Sequence, residues 1–143
     1  MLERDELSLL NVLPLSRAPE LVESLATWGI PAWRLDGRDV DSATAFFAAS
    51  GRDLPSPFGI RPVSDWDAFG DNLWEAAAMA EGDTAAFVWE GAHALLRASV
   101  ADFAAALVAL HSFARRLANP ASPGTQPKLM YLFILGEGPN FGT

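Results

Sequence analysis

Two uninterrupted apolar runs, Thr84-Ala85-Ala86-Phe87-Val88-Trp89 and Leu129-Met130-Tyr131-Leu132-Phe133-Ile134-Leu135, limit most strongly what this chain can fold into. A strand with one wet face alternates apolar and polar residues, whereas a run that is apolar throughout suits a strand covered on both faces. Between the two runs lies a helical pattern. Ser99 is set to cap a helix over about 100–117, with Asp102 in its first turn and Arg115 and Arg116 in its last. Phe103, Ala106, Leu107, Leu110 and Phe113 fall at helical spacing along it. Parallel strands need a long crossover, and strand–helix–strand order predicts a small parallel sheet with crossover helices.

The first half of the chain repeats this alternation. Residues 7–13 fit a short strand. A helix then starts between Ser16 and Glu20, with Pro19 in its first turn, Leu21, Val22, Leu25 and Trp28 as its apolar stripe, and Gly29 as its stop. Pro31–Leu35 reads as a strand entering the turn Asp36-Gly37, and Asp41 or Ser42 caps a helix ending at Gly51. Residues 51–63 form a loop rich in Pro and Gly whose Leu54, Phe58, Ile60 and Val63 can order it from within. Ser64, with Asp67 three residues on, has the pattern of a capping box for a third helix running to about Ala80. A loop over 119–127 precedes the last strand, and the tail 137–143 is expected to fray. The fold class predicted is α/β, a small parallel sheet of three to four strands with helices packed around it.

Charge separates the function classes. Ten Lys plus Arg against eighteen Asp plus Glu leave a net charge of −8, which argues against nucleic acid or an anionic membrane as partner and for a cation or basic protein. Cysteine is absent, so disulfides, thiolate nucleophiles and Cys-ligated zinc are excluded. The start, Met-Leu-Glu-Arg-Asp-Glu, has neither a basic nor an apolar segment of a signal peptide, and the apolar runs are too short to span a bilayer. A cytoplasmic location is expected.

The acids are not spread evenly. No Lys or Arg lies between Arg61 and Arg97, yet this stretch holds Asp65, Asp67, Asp71, Glu75, Glu81, Asp83 and Glu90. Asp67, Asp71 and Glu75, at i, i+4 and i+8, share one helix face, where like charges one turn apart repel. Acids in a first turn are favoured by the helix dipole, which covers Asp65 and Asp67 but not Asp71 or Glu75. Either the face is merely solvated or a cation docks on it, beside Trp66, Phe69 and Trp74.

Catalytic patterns are lacking. His93 and His111 have no carboxylate four residues to either side, no G-x-S-x-G elbow exists, and carboxylates along one exposed helix have no cleft to split their pKa values. No EF-hand spacing marks a metal site, and Pro139 spoils a phosphate cradle at Gly136 and Gly138. No catalytic residue, metal or cofactor is expected.

Three segments resemble the barstar family, small intracellular inhibitors of a secreted basic ribonuclease. Trp33-Arg34-Leu35-Asp36-Gly37-Arg38-Asp39-Val40 resembles its first strand and turn. Leu54-Pro55-Ser56-Pro57-Phe58-Gly59 resembles the loop before its inhibitory helix, and Asp65-Trp66-Asp67-Ala68-Phe69-Gly70-Asp71-Asn72-Leu73 resembles that helix. The resemblance covers residues 30–136, leaving 1–29 as an N-terminal extension with an edge strand and helix. It implies a barstar-like domain whose helix and loop plug a nuclease active site, with Asp67 and Asp71 standing in for substrate phosphates. Phe58, Gly59, Asp65, Trp66 and Glu75 complete the implied contact set.

The chain departs from the family at four points: extra residues Ile60–Ser64, Pro57 in place of an aromatic, Gly70 between the helix acids, and Arg115 where an acid is usual. A second register, built on Leu73-Trp74-Glu75, makes Asp71 and Glu75 the acid pair instead. A basic ribonuclease is thus the implied partner. The alternative is another basic protein, bound without inhibition.

Overall fold

The two apolar runs lie side by side as the central strands of a parallel sheet, as their lack of any polar alternation demands. A computed structural model describes residues 2–121 and 124–142. Met1, Ser122 and Pro123 of the expected 119–127 loop, and Thr143 of the expected tail lie outside the described residues. The elements are β1 (Leu10–Pro14), α1 (Ala18–Thr27), β2 (Ala32–Asp36), α2 (Ala43–Asp53), α3 (Trp66–Met79), β3 (Thr84–Glu90), α4 (His93–Ala98), α5 (Val100–Ala118) and β4 (Leu129–Gly136). The strand order is β1-β4-β3-β2. All pairings are parallel, with Leu10 opposite Leu132, Thr84 opposite Leu129 and Ala32 opposite Ala86. The fold is α/β with four strands, the upper end of the expected range.

Side chains alternate across each strand, so one sheet makes two cores. Trp33, Leu35, Phe87, Trp89, Leu132 and Ile134 point to the face packed by α2, α3, α4 and α5. Ala86, Val88, Phe133 and Leu135 point to the other, where Ala18, Leu21 and Leu25 of α1 cover them. Residues 1–29 therefore supply both an edge strand beside β4 and the helix that closes the second face. That cover is what makes a continuous apolar run tolerable in β3 and β4.

Local signals account for most boundaries. Ser42 Oγ accepts the Ala45 N–H at 3.1 Å and Ser99 Oγ accepts that of Asp102 at 3.1 Å, fixing the starts of α2 and α5. Gly29, at φ +70°, ends α1 in the left-handed conformation. Two expectations are corrected. The capping residue of α3 is Asp65, not Ser64: its Oδ1 accepts the Ala68 N–H at 2.7 Å. The tail does not fray over its described part: Pro139–Phe141 forms a 3₁₀ turn that lays Phe141, 4% exposed, against Gly136. A Cβ at Gly136 would stand 2.7 Å from that ring, so the close seat needs glycine. One buried aromatic outweighs the fraying entropy of a short polar tail.

Candidate functional site

α3 forms because its cap, its apolar period and its C-terminal cation agree. Phe69, Leu73, Ala76 and Ala77 are buried at helical spacing. The chain's single lysine closes the far end: Lys128 Nζ donates to the Ala77 and Ala80 carbonyls at 2.6 and 3.0 Å, where the helix dipole is negative. The opposite face, with Asp67, Asp71, Trp74 and Glu75, is exposed.

The preceding loop is strapped to this helix. Buried Asn72 donates its side-chain N–H to the Arg61 carbonyl at 3.3 Å, and the Arg61 guanidinium pairs with Glu75. The stretch from Arg61 to Arg97 thus gains relief from its own boundary residue, and Glu75 is committed. Phe58, 3% exposed, turns inward with its ring 5.6 Å from that of Phe69. Gly59 and Ile60 occupy the outer surface of the loop. Trp66 is half-buried in an aromatic cluster, 5.4 Å from Phe46, 4.7 Å from Phe47 and 5.7 Å from Phe69.

Of the acids in the implied contact set, Asp65 is used as a cap and Glu75 by Arg61. Asp67 and Asp71 are exposed and make no hydrogen bond or ion pair among the described residues. They border a groove of about 690 Å³ between α3 and α5, lined also by Trp66, Gly70, Val108 and Arg116. Arg116 lies over Trp74, its guanidinium carbon 5.8 Å from the ring centroid, and reaches within 3.8 Å of where a Gly70 Cβ would stand. Gly70 leaves that side of α3 open toward the cation.

A second polar cluster, which sequence reading alone did not assemble, sits at the carboxyl ends of β2 and β3 in a crevice of about 560 Å³. Its charges satisfy one another. Arg34 grips Glu90 with two bonds of 2.8 and 2.9 Å, and Arg38 grips Asp36 with bonds of 3.0 and 2.9 Å. Arg52 holds Asp53, whose Oδ2 accepts the Asp36 N–H at 2.9 Å. Hydrogen bonds from Arg38 bring Asp36 down from 3.8 to about 2, and Arg52 likewise lowers Asp53. This network ties the end of α2 to the sheet. The parallel pairing of β2 with β3, which sets Arg34 opposite Val88 and Asp36 opposite Glu90, is the signal that could have found it.

His93 Nδ1 accepts the Glu137 N–H at 3.1 Å, and neither His93 nor His111 lines the α3/α5 groove. Among the described residues, no three His, Asp or Glu side chains are grouped to hold a metal, and no helix is long and apolar enough to cross a membrane. A scan of family models, a search of curated proteins and a search of solved structures each give no match.

Proposed function

We propose that this protein is a cytoplasmic inhibitor of a basic ribonuclease, binding it through α3 and the loop before it rather than performing catalysis itself. The observation that carries this reading is the pair Asp67 and Asp71, exposed and uncommitted while the neighbouring acids Asp65 and Glu75 have internal partners. Four residues at 1.5 Å rise put the two carboxylates about 6 Å apart along the helix. A ribonuclease site lined with Arg, Lys and His is built to hold phosphodiester, and two carboxylates at that spacing compete for the same donors with charge-assisted, bidentate bonds. The net charge of −8 adds a long-range attraction to a basic target.

The commitment of Glu75 to Arg61 favours the register in which Asp67 and Asp71 form the pair. The likeness of residues 30–136 to the barstar family supports the inhibitory mode. A second reading, a non-inhibitory module for another basic protein, draws on the buried ring of Phe58, which leaves Gly59 and Ile60 to meet a partner.

Calorimetric titration against a basic microbial ribonuclease with its catalytic histidine intact, at low and moderate salt, tests the proposal. Tight 1:1 binding is expected, weakened by salt and by at least about tenfold in Asp71→Ala, the loss of one charged hydrogen-bonding group. Binding without loss of nuclease activity would favour the non-inhibitory module. Absence of binding at low salt would refute the ribonuclease reading.

A further inference from the structure

Glycine inside a helix is less favourable than alanine, yet α3 carries Gly70 three residues after Asp67 and one before Asp71. The notch it leaves is occupied from α5. The Arg116 guanidinium reaches within 3.8 Å of where a Gly70 Cβ would stand, and its carbon lies 5.8 Å from the centroid of the Trp74 ring. A β-carbon at position 70 would fit at that distance, whereas a longer side chain would take the place of the guanidinium. Asp67, Gly70, Asp71 and Trp74 share one side of α3 at helical spacing, and a cation of the same chain is laid on it.

Arg116 is placed there but not clamped. Its guanidinium makes no hydrogen bond or ion pair among the described residues, and a cation–π contact at an exposed site is weak. It lines both the α3/α5 groove and a smaller hollow of about 300 Å³ bounded by Asp71, Trp74, Asn119 and Pro120. That second hollow is room to move into. Arg116 also belongs to the last turn of α5, so it stays near the negative end of that helix dipole in either position. In the free protein a cation at this point offsets the repulsion between Asp67 and Asp71. A partner's Arg or Lys approaching the same two carboxylates must displace it or be repelled by it.

We infer that Arg116 is a specificity-determining residue of the acid pair: it holds the place of the partner's cation in the free protein, and swings off Trp74 when a partner with closely set Arg or Lys residues engages Asp67 and Asp71. The inference rests on the reading that a basic protein engages those two acids, and names the residue that regulates the engagement. Surfaces with sparse positive charge are turned away by Arg116, and only a dense cationic site overcomes it.

The probes are an amidated oligo-arginine peptide and a basic microbial ribonuclease, each titrated calorimetrically into the full chain. Arg115→Gln is the control: Arg115 is exposed in the same turn and its loss changes the charge equally, but it lines neither hollow. Arg116→Gln, also at an exposed position, should keep the wild-type circular dichroism. It should tighten peptide binding by at least about threefold more than Arg115→Gln does, and the excess should vanish when Asp71→Ala is added to both. By NMR, the Arg116 Nε–H resonance, assigned by its loss in Arg116→Gln, should leave its ring-shifted position as the peptide saturates the chain. Equal gains from the two variants, weaker binding in Arg116→Gln, or an unmoved resonance overturns the inference. If ribonuclease binding depends on Asp71 while the two variants behave alike, the docking of a basic protein stands and only the role of Arg116 falls. If the ribonuclease does not bind but the peptide shows the excess, the ribonuclease reading falls and Arg116 still governs the acid pair.

Discussion

Truncating the inner face of α1 is expected to destabilise the whole molecule, although α1 belongs to the segment outside the family resemblance. Leu21 and Leu25 are 0% and 1% exposed and, one turn apart, share one buried cluster with Val88 and Phe133 of the two central strands. Removing a buried leucine down to alanine costs about 2–5 kcal/mol, from lost transfer energy plus the cavity left behind. α1 is a single helix over this face, but Leu2, Leu7, Leu15 and Trp28 pack around the same core and can relax in part, which places the cost near the middle of that range, about 3–4 kcal/mol. Because the two leucines share contacts, Leu21→Ala with Leu25→Ala should cost less than the sum of the single changes, yet still about 4–8 kcal/mol. Against a typical total of about 5–15 kcal/mol, that brings the protein close to unfolding.

Urea titration followed by far-ultraviolet circular dichroism and by tryptophan fluorescence reads this directly. At about 3–4 kcal/mol and with m about 1–3 kcal/mol/M, each single variant should lower the midpoint by about 1–4 M with m unchanged and both signals coincident. Fluorescence read in a Trp28→Phe background is apt because Trp33 and Trp89 lie in the opposite core from α1, whereas Trp28 caps α1 itself. If their signal held its wild-type midpoint while helicity was lost earlier, α1 would be a separable appendage. The sheet would then not depend on its second cover, and the reasoning from its two buried faces would be refuted.

Three further outcomes follow from particular contacts. Asp71→Asn should raise the melting temperature slightly at low salt, because it relieves an i, i+4 repulsion with Asp67 of about 0.2–0.5 kcal/mol, while it weakens the partner complex; stability and binding moving together would refute a docking role. Gly37→Ala should cost about 1–3 kcal/mol in chemical denaturation, because the new Cβ would stand 2.3 Å from Trp89 Nε1 and 3.2 Å from the Glu90 carbonyl oxygen. Trp89 is itself held between Phe46 at 5.0 Å and Phe103 at 5.6 Å and cannot give way. Asp36 binds its proton at about 2 in the fold against an ordinary 3.8, so its contribution is present above about pH 4 and is lost as pH falls toward 2. Arg38→Gln should move the Asp36 carboxyl titration seen by NMR back toward 3.8, with a cost at neutral pH under about 1 kcal/mol, as the pair is exposed; an unmoved titration would show that Arg38 is not the cause.

Several parts of the molecule are legible in the amino-acid order alone, and they share one property: each signal is local. The continuous apolar runs of β3 and β4 announce strands covered on both faces. Ser42 and Ser99 announce helix starts through bonds to residues three positions on, and Gly29 announces a helix end. The acidic face of α3 follows from a period of 3.6 alone. Even so, local signals compete at close range, and Asp65 took the cap for which Ser64 and Asp67 had the pattern.

What the sequence did not carry depends on which distant segments meet. Nothing local says that β1 docks beside β4, that α1 crosses to close the second face, or that Phe141 swings back under Gly136. The same holds for the site. Glu75 and Asp71 are equivalent on a helical wheel, and only the return of Arg61 across the loop separates the committed acid from the free one. Trp66 and Trp74 are equally apolar, and the packing of α2 decides that the first joins the core while the second is left outside for Arg116 to cover. Periodicity and capping act over a few residues and are written in the chain; partner choice among remote side chains is settled by the sheet order and the helix layers, which exist only in the folded protein.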